Sequence, residues 1–167
     1  MDISIKQSSL NLIYAAVRTF VYAQPIFSQR RHFWTKLQEL NTQQWTPCCC
    51  IGDFNEILEQ HEKQGLRDQP ESRMQLFRDC LDNSNLMDMD LKGCKFTWCS
   101  NPRQGQVTKE KLDKILINWP WRALYPNSSG FALPIVSSDH SPLLLRLKPL
   151  LRPTKLFRFE ALWVEDE

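Results

Sequence analysis

A chain of 167 residues, with 42% hydrophobic and 24% charged side chains, has the length and composition of one folded domain and excludes a disordered or fibrous polymer. Lys and Arg number 21 against 19 Asp and Glu, so the formal charge of +2 excludes a histone-like basic polymer. It does not exclude a nucleic-acid enzyme, because a groove needs local rather than global charge.

Met1 to Ser9 is polar and has no apolar stretch behind a basic start, so no signal peptide is expected. Leu10 to Ala23 is interrupted by Asn11, Tyr14, Arg18 and Thr19 and is too short to span a bilayer. Its β-branched and aromatic content predicts one or two strands, ended by Pro25. Ser28 can cap a helix through about Leu40, with Phe33, Trp34, Leu37 and Leu40 on one face. Cys48 to Phe54 is a short apolar run closing on Gly52-Asp53, the mark of a buried central strand. Residues 56–70 are polar, contain Gly65 and Pro70, and predict a loop. Ser72 opens a second helix that turns Met74, Phe77, Cys80 and Leu81 inward. Leu86 to Asp90 and Lys95 to Cys99 alternate like short strands. Gln104-Gly105 suggests a hairpin turn into a strand from about Val107 to Ile117. Asn118 can cap a short helix with Pro120 in its first turn and Trp121 and Leu124 packing inward. Phe131 to Val136 and Pro142 to Leu147 predict two last strands, and 149–167 reads as a linker or the start of a further region.

Of the six cysteines, Cys48, Cys49 and Cys50 are consecutive, and none forms a C-x-x-C pair. On a strand, Cys48 and Cys50 share one face and Cys49 takes the other. They read as small buried hydrophobes in a reducing compartment, hence nucleus or cytoplasm.

Three short motifs carry chemistry. Gly52-Asp53-Phe54-Asn55 ends the buried strand, with a carboxylate and a carboxamide two residues apart. Asp53 could polarise water or hold a hard metal and Asn55 could orient a phosphate oxygen, or the two could form an Asx turn. Ser138-Asp139-His140 lies between two predicted strands, and His140 is a candidate general base or phosphate contact. Asp139 could support a metal or position the nucleophile, or the triplet could be a polar loop. In Lys111-Leu112-Asp113-Lys114-Ile115, an inward Asp113 needs a partner, because a bare buried carboxylate is costly. His140 is the obvious partner, and a surface pairing with Lys111 or Lys114 is the alternative.

The order of these motifs resembles the endonuclease/exonuclease/phosphatase (DNase I-like) superfamily, and within it the endonuclease domain of plant LINE-type (non-LTR) retrotransposons. The residues that carry the resemblance are FVYA at 20–23, Arg31, Phe33-Trp34, IGDFNEIL at 51–58 and Phe96-Thr97-Trp98. Leu112-Asp113, SDHSPLLL at 138–145 and FRFE at 157–160 continue it, so it covers nearly the whole chain. It implies an α+β protein, a four-layer α/β sandwich of two mainly antiparallel sheets with outer helices, lacking the first strands. It implies a partial domain over 1–148, followed by a linker or the start of a truncated downstream region. It also implies a Mg²⁺-dependent hydrolase cutting phosphodiester bonds in DNA, next to a reverse transcriptase in a parent polyprotein. By motif position, Asp53 would activate water and, with Asp139, hold metal. Asn55 would help orient that water and the phosphate, His140 and Tyr22 would contact phosphate, and Asp113 would orient His140. Tyr22 as a core strand residue is the alternative reading.

The family's opening Asn strand and the strand bearing its main metal-ligand Glu have no counterpart here, and Glu56 and Glu59 sit at the wrong place to substitute. Mg²⁺ needs several converging oxygens, so weak metal binding, an exposed sheet edge and weak or no activity are expected. The competing reading is a catalytically dead remnant that binds nucleic acid or protein. It would use Arg18, Arg30, Arg31, Arg67, Arg103, Lys109, Lys111 and Lys114. An inositol phosphate or sphingolipid substrate is a third reading, opposed by the FTW and FRFE elements.

Overall fold

The computed structural model describes residues 19–40, 46–100 and 107–147. The expectations for residues 10–18, for the Gln104-Gly105 turn and for 149–167 lie outside these. Ten strands and three α-helices follow in order: β1 (Thr19–Tyr22), α1 (Phe27–Leu40), β2 (Cys49–Asp53), β3 (Lys63–Gln64), α2 (Glu71–Asn83), β4 (Met87–Asp88), β5 (Leu91–Gly93), β6 (Trp98–Cys99), β7 (Lys109–Glu110), β8 (Asp113–Ile117), α3 (Trp119–Leu124), β9 (Ser129–Ala132) and β10 (Leu143–Arg146). The first sheet runs β1-β2-β8-β4, the second β10-β9-β5, and a small third one β3-β7-β6. Only β1–β2 and β5–β9 pair in parallel, so the sheets are mainly antiparallel as expected.

β2 is buried on both faces, and the side-chain alternation of a strand sorts its residues. Cys48, Cys50 and Phe54 join Trp34, Leu37, Phe77, Cys80 and Leu81 in a core under the two long helices. Cys49 and Ile51 join Ile115, Ile117, Trp121 and Tyr125 in a second core that Leu143 and Leu145 of β10 help to close. The layers therefore run helices, first sheet, second sheet. The three consecutive thiols divide as their spacing predicts, and burial pushes Cys49 up to about 12 and Cys80 up to about 11, which keeps both neutral. Beyond α3, the described residues contain no further α-helix to form a fourth layer. Among the described residues, no helix is long and apolar enough to cross a membrane.

α2 shows how locally the helices are written. Met74, Phe77, Cys80 and Leu81 are buried at helical spacing, and Phe77 stacks on Trp34 with ring centroids 4.7 Å apart. Asn85 adopts φ 51, so that Asn85 N donates to Asp82 O and Leu86 N to Leu81 O. This is the Schellman ending, with asparagine in the left-handed position and Leu81 and Leu86 closing the apolar contact.

Four expectations need correction. The 56–70 loop contains a 3-10 turn at Gln60–Glu62 and strand β3, because Glu62 is drawn inside by Lys114. The single strand expected from Val107 to Ile117 is two. Lys111 N bonds Glu62 O and Leu112 O accepts from Phe54 N, so the chain leaves the third sheet and enters the first at that point. Leu124 is exposed rather than inward, and Trp121 and Tyr125 form the buried side of that short segment. β5 was not anticipated, since Leu91-Lys92-Gly93 has no alternation to reveal it.

Gly52 has φ +146, and a Cβ there would overlap Val21 O on the neighbouring β1. Gly52→Ala is expected to cost at least about 1–3 kcal/mol, read as a lower urea midpoint with an unchanged slope.

Candidate active site

The register of β2 against β8 sets Asp53 directly opposite Asp113, following Ile51 opposite Ile115 and Cys49 opposite Ile117. The stripe that is apolar between the two sheets thus ends in two facing carboxylates. Like charges directly opposite are unfavourable, and both residues are buried, so fold stability alone does not account for the pair. Burial pushes the Asp53 carboxyl above its ordinary range, and the Asp113 charge adds to the rise. The Asn55 N–H, His140 and Arg30 oppose that rise without cancelling it.

Past Asp53 the chain turns through Asn55, which adopts φ 53. Asn55 N donates to Asp53 Oδ1 at 2.8 Å, and Asn55 Nδ2 donates to Asp53 Oδ2 at 2.7 Å and to Ala23 O at 2.9 Å. The Asx turn and the candidate site are therefore the same object. Both amide hydrogens are engaged, which leaves Asn55 Oδ1 as its atom for an incoming molecule.

His140 reaches this pair from far along the chain, with His140 Nδ1 2.9 Å from Asp113 Oδ2. The pairing with Lys111 or Lys114 does not occur, since those lysines bond Glu62 and Asp88. The loop bearing His140 docks as an extra rung on β6. Cys99 N donates to Asp139 O, Ser141 N donates to Thr97 O at 2.7 Å, and His140 forms a bridge with Trp98. Thr97 also anchors the strand below, because its Oγ1 accepts from Asp113 N at 2.8 Å. Thr97 and Trp98 hold the site together although the sequence offered them only as part of a family signature. The signal was there in principle, a polar residue between two aromatics on a predicted strand.

One ligand atom from each of Asp53, Asp113 and His140 lies within 4.8 Å of the others, and no other such group occurs among the described residues. Asp139 stands outside this group. It is exposed and accepts from Trp98 Nε1 at 3.0 Å, which holds its carboxyl below the ordinary range. Tyr22 ends β1 in register with Asp53 and is 72% exposed, so it is not a core residue. Glu56 is buried on Arg30, and Glu59 pairs with His61 on the surface. Two facing carboxylates, one of them pushed up by burial and like charge, suit a hard divalent cation, so the donor set fits such an ion with Asp53 and Asp113 as its oxygen ligands. A separate cleft of about 430 Å³, lined among others by Lys95, Phe96, Trp98, Lys109, Ile135 and Ser141, includes none of Asp53, Asp113 and His140.

No protein-family model and no curated protein matches the chain. Solved structures do. The 3'-5' exonuclease NExo from Neisseria meningitidis superposes with a TM-score of 0.60 at 18% identity, covering 79% of this chain and 61% of that one. A structure of the 3' phosphatase NExo from Neisseria bound to a product DNA hairpin gives 0.58 at 18%, covering 80% and 62%. The AP endonuclease LMAP from Leishmania major gives 0.53 at 15%, covering 74% and 43%. At such identities the likeness shows the fold, which is that of the DNase I-like enzymes. The chain spans about three fifths of the length of the NExo structures.

Proposed function

We propose that this chain is a Mg²⁺-dependent phosphodiester hydrolase acting on DNA, an endonuclease of the plant LINE retrotransposon type. The observation that carries the reading is the convergence of Asp53, Asp113 and His140, with the imidazole held on Asp113 at 2.9 Å. The fold shared with DNA-acting exonucleases and endonucleases supports the reaction class. The GDFN, FTW and SDHSPLLL segments support the finer assignment, and with it a neighbouring reverse transcriptase and a nuclear or cytoplasmic location.

In this reading Asp53 accepts a proton from the attacking water, and Asn55 Oδ1 accepts that water's other hydrogen. Of the two roles expected for Asn55, this keeps the orientation of water and drops the phosphate contact, because its N–H groups are already bonded. His140 Nδ1–H donates to Asp113, which leaves Nε2 to donate to a phosphate oxygen when the ring is doubly protonated. The bond from phosphorus to the leaving sugar oxygen breaks as the water oxygen bonds to phosphorus. Asp53 and Asp113 would hold Mg²⁺, which would supply Lewis-acid polarisation of the phosphoryl group. The cleft of Phe96, Trp98, Lys95 and Lys109 offers stacking faces and cations to a nucleic-acid strand. Two carboxylates are few for Mg²⁺, so metal binding and turnover by the 167-residue chain are weak.

The competing reading, a remnant that binds without cutting, loses three of its cations, since Arg30 and Lys114 are buried and Lys111 is tied to Asp88 and Glu62. The test is nicking of supercoiled plasmid by the purified chain. Slow nicking that needs Mg²⁺ and falls on the order of 10²-fold or more in Asp53→Ala and in His140→Ala is expected. Nicking that survives chelation or either substitution, or DNA retention with no cleavage at all, overturns the proposal.

A further inference from the structure

Glu56 follows Asn55 directly and exposes 1% of its surface. A buried carboxylate persists only where charged partners and hydrogen bonds satisfy it. Arg30 Nη1 donates to its Oε2 at 2.7 Å, Arg73 Nε lies 3.4 Å from the same oxygen, and Gln69 Nε2 donates to Oε1. Arg30 is itself buried, and its remaining donors point back along the chain. Its Nε donates to Gln24 O at 2.7 Å and its Nη2 to Pro25 O at 2.6 Å. Those two carbonyls follow Ala23, whose own carbonyl holds the Asn55 amide.

One guanidinium therefore joins the two stretches of chain between which Asn55 is suspended, 23–25 on one side and 55–56 on the other. The planar fork of arginine can reach all three acceptors at once, whereas the single ammonium of lysine cannot. Arg73 is kept beside Glu56 by stacking over the Phe27 ring at 4.3 Å. The device thus draws α1 and α2 onto the turn. Asparagine takes up a φ near 53 at little cost, so what the device adds is the direction of the Asn55 carboxamide rather than the turn itself.

We propose that Arg30, acting through Glu56, is the positioning residue that fixes the Asn55 carboxamide against Asp53. Its kinetic consequence rests on the hydrolase reading; its geometric consequence does not. Arg30 touches no reacting atom, so its effect passes entirely through the turn.

The test uses the 167-residue chain with Arg30→Met, Arg30→Lys and the double change Arg30→Met with Glu56→Gln. The double change removes the orphaned buried carboxylate should Arg30→Met fail to fold. The first readout needs no activity. It is solvent exchange of the Asn55 side-chain amide by NMR, assigned by its loss in Asn55→Ala. All three variants are expected to speed that exchange by roughly tenfold or more. The amide of Asn118, bonded to Thr46 O elsewhere in the fold, serves as the internal control and is expected to stay unchanged. An Asn55 amide that stays protected, equal loosening at Asn118, or full rescue by Arg30→Lys overturns the proposal. The second readout is plasmid nicking, where kcat is expected to fall on the order of 10–100-fold with KM within about twofold. A rise in KM with kcat kept overturns the kinetic role. If the unmodified chain cuts no DNA, the hydrolase reading fails while the amide exchange still decides the clamp.

Discussion

On the proposed hydrolase reading, Asp113→Asn is expected to slow DNA cleavage on the order of 10²-fold or more, as His140→Ala does, while holding or raising the stability of the fold. Asparagine keeps the shape of the side chain, and the Asp113 N–H that Thr97 accepts is untouched. What disappears is the carboxylate 2.9 Å from His140 Nδ1, and with it the acceptor that fixes the ring and turns Nε2 toward the phosphate. Stability moves the other way, because the like-charge pair across β2 and β8 is relieved. The pH dependence makes this sharper. Burial first, and then the Asp113 charge, hold the Asp53 carboxyl above its ordinary range in the folded state. A raised folded value means that the stability linked to Asp53 is fully present below the ordinary carboxylate range and is lost as pH rises through the folded value. Removing the Asp113 charge shrinks that loss. The urea midpoint of Asp113→Asn relative to that of the unmodified chain should therefore rise from about pH 3 to 7. A variant that cuts DNA normally, or one that is less stable by several kcal/mol, would falsify the role assigned to Asp113.

How far the sequence revealed this site depends on whether the governing interactions were local. The spacing of Met74, Phe77, Cys80 and Leu81 announced α2, and the run from Cys48 to Phe54 announced β2, because one element's periodicity decides which of its faces is buried. The Asp113–His140 pair was legible by chemistry rather than by periodicity, since an inward carboxylate must find a partner. Asp139 was harder, because it adjoins His140 in sequence. In the extended stretch bridging to β6, successive side chains diverge, so Asp139 goes to Trp98 while His140 goes to Asp113. The charged residues buried away from the site were not legible. Arg30, Lys111 and Lys114 looked like surface cations, and Glu56 and Glu62 looked like loop acids, because nothing local marks a charged residue whose partner lies tens of residues away.

Glu62→Gln is expected to cost about 3–5 kcal/mol in urea unfolding. Lys114 is fully buried, and its ammonium lies 2.9 and 2.8 Å from the two oxygens of Glu62. Leu58 N donates to Glu62 at 2.7 Å, and Lys111 reaches both Glu62 at 3.2 Å and Asp88 at 2.8 Å. Burial alone would raise the Glu62 carboxyl, but the Lys114 ammonium and the other donors carry it below its ordinary range. Its contribution to stability is therefore present above the ordinary glutamate range and lost as pH falls through the depressed folded value. Glutamine imitates the protonated acid at every pH and leaves Lys114 with Asp88 at 3.8 Å as its nearest remaining counter-charge. The double change Glu62→Gln with Lys114→Met removes both members and keeps the Lys111–Asp88 pair, so it should be less destabilised than Glu62→Gln alone. A single-variant cost below about 1 kcal/mol would mean that water reaches Lys114 and that the burial argument fails. The network also bears on the active site through strand register. Lys114 and Asp113 are neighbours on β8 with side chains on opposite faces, and a slip of one residue would put Lys114 between the two sheets and Asp113 under the helices. Burying Lys114 on Glu62 is thus one of the interactions that hold Asp113 opposite Asp53.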